Sequence, residues 1–375
     1  MPNETELALA LRGERLALRV PAYRFWRRMV GKYKRLLRWE FWPPYVFYPP
    51  VVAYIIYLGL RFRNWTLFTA ANPAIPAGGF VGESKHEILR ELRGVPSAIP
   101  AHTLLDHVDA NERVQRAEQF LQENQLSFPV VLKPDAGQRG TGVAIIRSSR
   151  QLREYLEKAA FPVILQEYGA GKEFGVFYYR YPGERHGHIL SITEKRMPVL
   201  VGDGRRTVED LILGDDRAIC MADFYLRQNS KRLQYVPASG EQVELVEIGA
   251  HCRGAIFLDG SYAITPALEK AMQEIADGFD GFHFGRFDIR VPSITDLMVG
   301  HNLKVIELNG VTSEATHIYD PTLSLFDAYR TLFRQWRIAF EIGKQNHNRG
   351  AQSSSLIDLL KRVRDYGQLA RRYAQ

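Results

Sequence analysis

The sequence predicts an α+β fold of at least two domains, on three observations. At 375 residues and 46% hydrophobic content, the chain can bury more than one core. Helical patterns alternate with paired strands joined by short glycine turns, and not with single strands, which argues against a doubly wound parallel sheet. No internal repeat interrupts this order, and the boundaries expected are 1–63, 64–110, 111–343 and 344–375.

Residues 1–63 read as a basic, aromatic arm. Ten Lys or Arg residues and one acid, Glu14, lie between Arg12 and Arg38. Such an arm suits phospholipid head groups, nucleic acid or an anionic substrate. Phe41 to Leu60 then carries no charge over twenty residues, but the proline pairs at 43–44 and 49–50 remove helix hydrogen bonds. The remaining uninterrupted helix, Val51 to Leu60, would be about 15 Å long, too short for a bilayer. The expectation is a segment lying in the membrane interface or an apolar arm packed on the body. Two cysteines, Cys220 and Cys252, exclude a disulfide framework or a tetrahedral zinc site, and with no secretory signal in view a cytoplasmic location, peripheral to the inner membrane face if the arm binds lipid, is expected.

Residues 64–110 read as a reduced lead-in. NPAIPAGGFVG is rich in Pro and Gly, and ESKHEILRELRG is a short helix with Ser84 as N-cap and Glu87 three residues later. From about 111 a polar helix leads to the strand FPVVLKP, a glycine loop, the strand GVAIIR and the amphipathic helix SSRQLREYLEKAA. VILQEY, EFGVFYYR and HILSITEK are further strands, followed by a helix capped at Thr207 and another over 216–230. VELVEIG, AIFL, the helix TPALEKAMQEIADGF, FGRFDIRV and LKVIELN complete the region. KQNHNRGAQSSS (344–355) reads as a polar linker to a basic C-terminal helix.

The chemistry concentrates in three places. Lys133 ends a strand before the loop Gly137 to Val143, where Gly137, Gly140 and Gly142 would let backbone N–H groups approach an anion; the alternative is a glycine hairpin beside a surface lysine. In LQEYGAGKEFGV, Gln166, Glu167 and Tyr168 precede a turn and Glu173 follows it. Such a segment can meet a purine edge with its backbone and ribose hydroxyls with a carboxylate, or be a solvated hairpin. Finally, Asp288 lies in the apolar strand FGRFDIRV, and Glu307 and Asn309 lie two apart in KVIELNG, on one strand face. If the strands pair, these oxygens converge on a patch suited to Mg2+; the alternative is that Asp288 pairs with Arg286 or Arg290 and Glu307 with a lysine.

In this order the set resembles the ATP-grasp ligases: a strand lysine, a glycine loop, a linker with acids, an Arg-x-Asp strand, then a Glu-x-Asn strand, over roughly residues 80–330. VGDGRRTVEDLI, VPASGEQVELVEIG and DGSYAITPAL are similar to cyanophycin synthetase and related amide-forming ligases, and GRFD with ELNGVTS to the D-alanine–D-alanine ligase pattern. The resemblance implies a fold of two α/β lobes enclosing ATP. It implies Lys133, Lys85 and the loop Gly137, Arg139, Gly140, Thr141 and Gly142 on the phosphates, Gln166, Glu167 and Tyr168 around adenine, and Glu173 on ribose. It further implies Asp288, Glu307 and Asn309 on one or two Mg2+ (or Mn2+), Arg286 on the transferring γ-phosphoryl group, and Arg253 on phosphate or a substrate carboxylate. The implied reaction activates a carboxylate as an acyl phosphate and joins it to an amine, forming ADP. A kinase on the same nucleotide site and a non-catalytic, membrane-associated nucleotide binder are the alternatives. Small-molecule substrates are the expected partners, with no nucleic acid, an anionic membrane surface through the arm, and room for a homodimer.

Overall fold

The computed structural model describes residues 23–106, 109–137 and 140–373. Eleven strands form among them: β1 (His102–Leu105), β2 (Val130–Pro134), β3 (Ala144–Ile146), β4 (Val163–Glu167), β5 (Lys172–Tyr179), β6 (His188–Arg196), β7 (Val199–Val201), β8 (Gln242–Glu244), β9 (Ile256–Asp259), β10 (Phe284–Val291) and β11 (Lys304–Asn309). The helices used below are α1 (Pro49–Arg61), α2 (Lys85–Glu91), α3 (Ala110–Glu123), α4 (Ser149–Lys158), α5 (Val208–Gly214), α6 (Ala222–Gln228), α7 (Pro266–Asp277), α8 (Ile294–Val299), α9 (Leu325–Asn348) and α10 (Leu356–Tyr373). The mixed α+β class expected from the sequence is what forms.

The chain divides into two compact units, 1–48 with 197–256, and 49–196 with 257–375. These boundaries differ from those expected from composition. In the first unit the described residues of the arm, 23–48, are no appendage. Phe41 is buried with Leu200, Val208, Ile212 and Tyr225, and buried Glu40 receives both guanidinium nitrogens of Arg217 at 2.9 Å. The helix expected over 216–230 is a short turn, Ala218–Met221, leading into α6. The expected VELVEIG strand shortens to β8, paired only with β7.

The second unit holds two antiparallel sheets, ordered β1-β4-β2-β3 and β11-β10-β5-β6-β9. The smaller sheet buries Leu132, Ile146 and Leu165 under α3 and α4. One face of the larger sheet buries Phe174, Val176, Phe287, Ile289 and Val305 beneath α7 and α8. Alternation of side chains along a strand leaves the residues between these apolar positions, Glu173, Gly175, Arg286, Asp288 and Arg290, for the opposite face.

Two departures from the sequence reading position the site. The supposed linker begins as helix: α9 runs 24 residues to Asn348. Its buried face includes Ala328, Leu332, Ala339 and Ile342 but also Gln335 and Asn346, so its apolar stripe is broken. Those polar residues peg loops. Gln335 donates to Ser313 O at 2.7 Å and accepts from Ala315 N at 3.0 Å, and Asn346 donates to Ala70 O at 3.0 Å. The lead-in, in turn, passes against the end of β11. A Cβ on Gly310 would lie 2.4 Å from Gly78 O, and Val311 N donates to that carbonyl at 3.0 Å. Only glycine permits so close an approach, and the path delivers Ser84 as cap of α2 and Lys85 to the strand end.

Candidate functional site

The two carboxylate strands pair. Asp288 on β10 stands opposite Glu307 on β11, and Arg286 opposite Asn309. The register slips between Asp288 and Ile289, because Ile289 pairs with Val305 and leaves Ile306 as the extra residue of a bulge. Ile306 is therefore only half-buried. Its carbonyl accepts from Lys133 Nζ at 2.8 Å and Gln166 Nε2 at 3.4 Å. Lys133 and Gln166 belong to β2 and β4, so this one oxygen joins the two sheets at the site.

Around it stands a buried network of charge. Arg286 Nε and Nη2 reach the Asp288 oxygens at 2.8 and 3.1 Å, while Nη1 donates to Glu314 O at 3.0 Å. Lys195 on β6 touches Asp288 Oδ1 at 3.1 Å and Glu173 Oε1 at 2.8 Å. Arg290 meets the other Glu173 oxygen at 3.0 Å, donates to Tyr168 Oη at 3.1 Å and lies over the Tyr168 ring at 5.3 Å. Lys85 contacts Glu307 Oε1 at 3.1 Å and the Gly137 carbonyl. Gly175 makes this possible: a Cβ there would stand 3.1 Å from Arg286 Cδ and 3.3 Å from Asp288 Oδ1.

Five cations (Lys85, Lys133, Lys195, Arg286, Arg290) thus face three carboxylates (Glu173, Asp288, Glu307), a positive excess in a low-dielectric place. Burial pushes the Lys133 ammonium down to about 8, against the attraction of Glu307. Burial opposes ionisation of Asp288, but Arg286 and Lys195 hold its carboxyl below the usual range. Glu307 is likewise lowered in spite of burial, chiefly by Lys85, whose own ammonium is raised by Glu307. Of Lys85, Lys133, Asp288 and Glu307, Lys133 is the one that its surroundings bring toward neutral pH.

Each expected residue can now be placed. Lys85, Lys133, Gln166, Glu173, Arg286, Asp288, Glu307 and Asn309 come together. Glu167 points elsewhere, pairing with Lys304 at 3.2 Å and accepting from Ala101 N at 3.0 Å. Gly140 and Gly142 adopt the left-handed region at φ 70° and 71°, and the Gly142 carbonyl is held by Tyr155 Oη at 2.5 Å. Thr141 lies between them, and Arg139 lies outside the described residues. Arg253 sits in the turn His251–Arg253 of the other compact unit. Sequence reading missed Lys195, and it considered Arg290 only as a partner for Asp288, whereas Arg290 pairs with Glu173. Lys195 follows Ser191 and Thr193 at period two on β6, and Arg290 continues the alternation Arg286, Asp288, so period-two reading of both strands could have found them. The turn Thr316–Tyr319 packs over the same sheet, with Thr316 Oγ1 at 3.0 Å from Thr193 Oγ1, two residues from Lys195.

Asp288 and Glu307 are hard oxygen donors on adjacent strands, and the Asn309 amide beside them has a buried nitrogen with no hydrogen-bond partner among the described residues. This set fits Mg2+ by chemistry. Among the described residues, however, no three His, Cys, Asp or Glu side chains cluster for a metal. A cation here would draw its remaining oxygens from water and a bound anion.

No protein-family model and no curated protein matches the chain. Among solved structures it is similar to D-alanine–D-alanine ligase from Bacillus anthracis, at 15% identity and TM-score 0.40, covering 71% of this chain and 69% of that one. It is similar to a bifunctional glutathione synthetase from Pasteurella multocida at 15% identity and TM-score 0.36, covering 67% of this chain and 35% of that one, about a third of the synthetase's length. The ATP-grasp ligase PsnB, complexed with minimal precursor, matches at 14% identity and TM-score 0.36, covering 67% of this chain and 60% of that one. At such identities and scores the roles of individual residues rest on the side-chain geometry of this chain alone. In its solved neighbours, then, the chain is similar to ATP-grasp ligases.

Proposed function

We propose that the chain is an Mg-ATP-dependent ligase that activates a carboxylate as an acyl phosphate and joins it to an amine, releasing ADP and phosphate. The observation that carries this reading is the buried face where five cations, three carboxylates and an amide converge between two sheets. A polyanion with a divalent cation matches that charge; an uncharged substrate does not.

In this reading Lys85, Lys133, Lys195 and Arg286 neutralise the triphosphate and align its γ-phosphorus with the substrate carboxylate. Asp288, Glu307 and Asn309 would hold Mg2+, which when bound screens the phosphate oxygens. A carboxylate oxygen attacks the γ-phosphorus as the bond to ADP breaks; the amine nitrogen then attacks the acyl carbon, and phosphate leaves with its bridging oxygen. Gln166 and Tyr168 would border the base. Glu173, already paired with Lys195 and Arg290, would share those partners with the ribose. Arg253 is proposed only as a phosphate or carboxylate contact.

The test incubates the protein with Mg-ATP and pools of amino acids and amines, reading ADP, phosphate and new amide masses. Amine-dependent phosphate release is expected, and Asp288→Asn or Glu307→Gln should lower it at least about a hundredfold with unchanged circular dichroism. Unchanged turnover in both variants sinks the metal assignment, and a stable phosphorylated product makes the enzyme a kinase. Because Lys133 must be protonated to pair with phosphate, nucleotide affinity should fall as pH rises through about 8. Lys133→Arg should flatten that profile in calorimetric titrations.

A further inference from the structure

Helix α1 is unusual on physical grounds. Its only charged residue is its last, Arg61, so it is apolar all round, a pattern that belongs to helices buried on every side. Yet only one side is buried, with Val51 and Leu58 in the core and Tyr54 stacked on Phe333 at 4.5 Å. The opposite side presents Val52, Ile56, Tyr57 and Leu60, each about half exposed or more. Spacings of four residues from Val52 to Ile56 to Leu60 put them on one stripe.

Helix α10 repeats this. Leu359 anchors it in the same core, while Leu356, Ile357, Leu360 and Val363 face solvent, exposed by 49–67%. The helices meet at their ends: Asn64, just after α1, donates to Ser353, just before α10, at 3.0 Å. Arg61, Arg63, Lys361 and Arg371 are exposed on or just beyond these helices. The acids on α10, Asp358 and Asp365, are neutralised by Arg362 and Arg364 at 2.9 and 3.1 Å.

We infer that the outward faces of α1 and α10 together dock on an anionic phospholipid surface. Apolar stripes with a basic margin match the boundary between acyl chains and anionic head groups, and exposed Trp65 and Tyr57 suit that depth. A second copy of this face is disfavoured, since it would set basic margin against basic margin. Thirteen residues give α1 a length of about 20 Å, and among the described residues no helix is long and apolar enough to cross a membrane. The helices lie on the surface. This inference is independent of the ligase reading.

Flotation of the full chain with phosphatidylcholine vesicles, with and without phosphatidylglycerol, tests it. Binding to the phosphatidylglycerol vesicles, weakened by salt, is expected. The exposed pairs Ile56→Asp/Leu60→Asp and Leu360→Asp/Val363→Asp should each weaken it at least about tenfold with unchanged unfolding midpoints. Failure of the wild-type chain to float overturns the inference. So does binding undiminished in both variants, which would belong to another part of the chain, or a concentration-dependent dimer in solution that the same substitutions dissociate.

Discussion

Two faces of the second unit invert the usual rule of burial in opposite senses. On the open face of the large sheet, Asp288, Lys195 and Glu173 are buried although charged, as is Lys133, which reaches that sheet from β2. On α1 and α10, Ile56, Leu60 and Leu360 are exposed although apolar. Folding alone explains neither. The buried charges survive because each has a partner of opposite sign or a carbonyl within hydrogen-bond distance, a costly arrangement that core residues of similar volume would often better. The exposed apolar side chains cost little in the folded state, since they are equally wet when unfolded. Destabilisation should therefore be large on the first face and nearly absent on the second.

The strongest break in this contrast is Asp288→Ala, which strands Arg286 and Lys195 without their shared carboxylate. A loss of about 3–5 kcal/mol is expected in denaturant unfolding; a loss below about 0.5 kcal/mol would mean that water already solvates the pair. Next is Gln335→Leu, which keeps bulk but leaves Ser313 O and Ala315 N unpaired behind the site, with an expected cost of about 1–3 kcal/mol. Gly175→Ala should cost about 1 kcal/mol, since Arg286 must shift by a few tenths of an ångström. It should lower nucleotide affinity more than stability, which parallel titration and melting would separate. The smallest change is Ile56→Asp/Leu60→Asp, within about 0.5 kcal/mol of wild type. A melting temperature that drops sharply there would show that these side chains are covered within the fold.

Much of the site was legible in the chain. Asp288, Glu307 and Asn309 stood out because oxygen-bearing side chains interrupt strands otherwise made of Phe, Ile, Val and Leu, and period-two alternation placed them on one face. The ion-pair alternative was legible too, and both readings describe the same side chains: Asp288 pairs with Arg286 and Glu307 with Lys85. Less legible was α9, whose stripe is broken by Gln335 and Asn346, residues that act through contacts with distant loops. The fate of 23–48 was hidden for the same reason, since nothing local reveals that Glu40 will meet Arg217, 177 positions away.

The sequence by itself determined the strand alternation, the α2 cap at Ser84, the glycine positions and the excess of basic charge, because each depends on neighbours within a few residues. Tertiary structure alone decided that Lys195 would bridge Glu173 and Asp288, that Ile306 would bulge so that its carbonyl meets Lys133 and Gln166, and that α1 would keep one apolar side uncovered. These depend on strand register and on which surfaces meet, and such long-range pairings are set by packing of the whole chain, not by local preference.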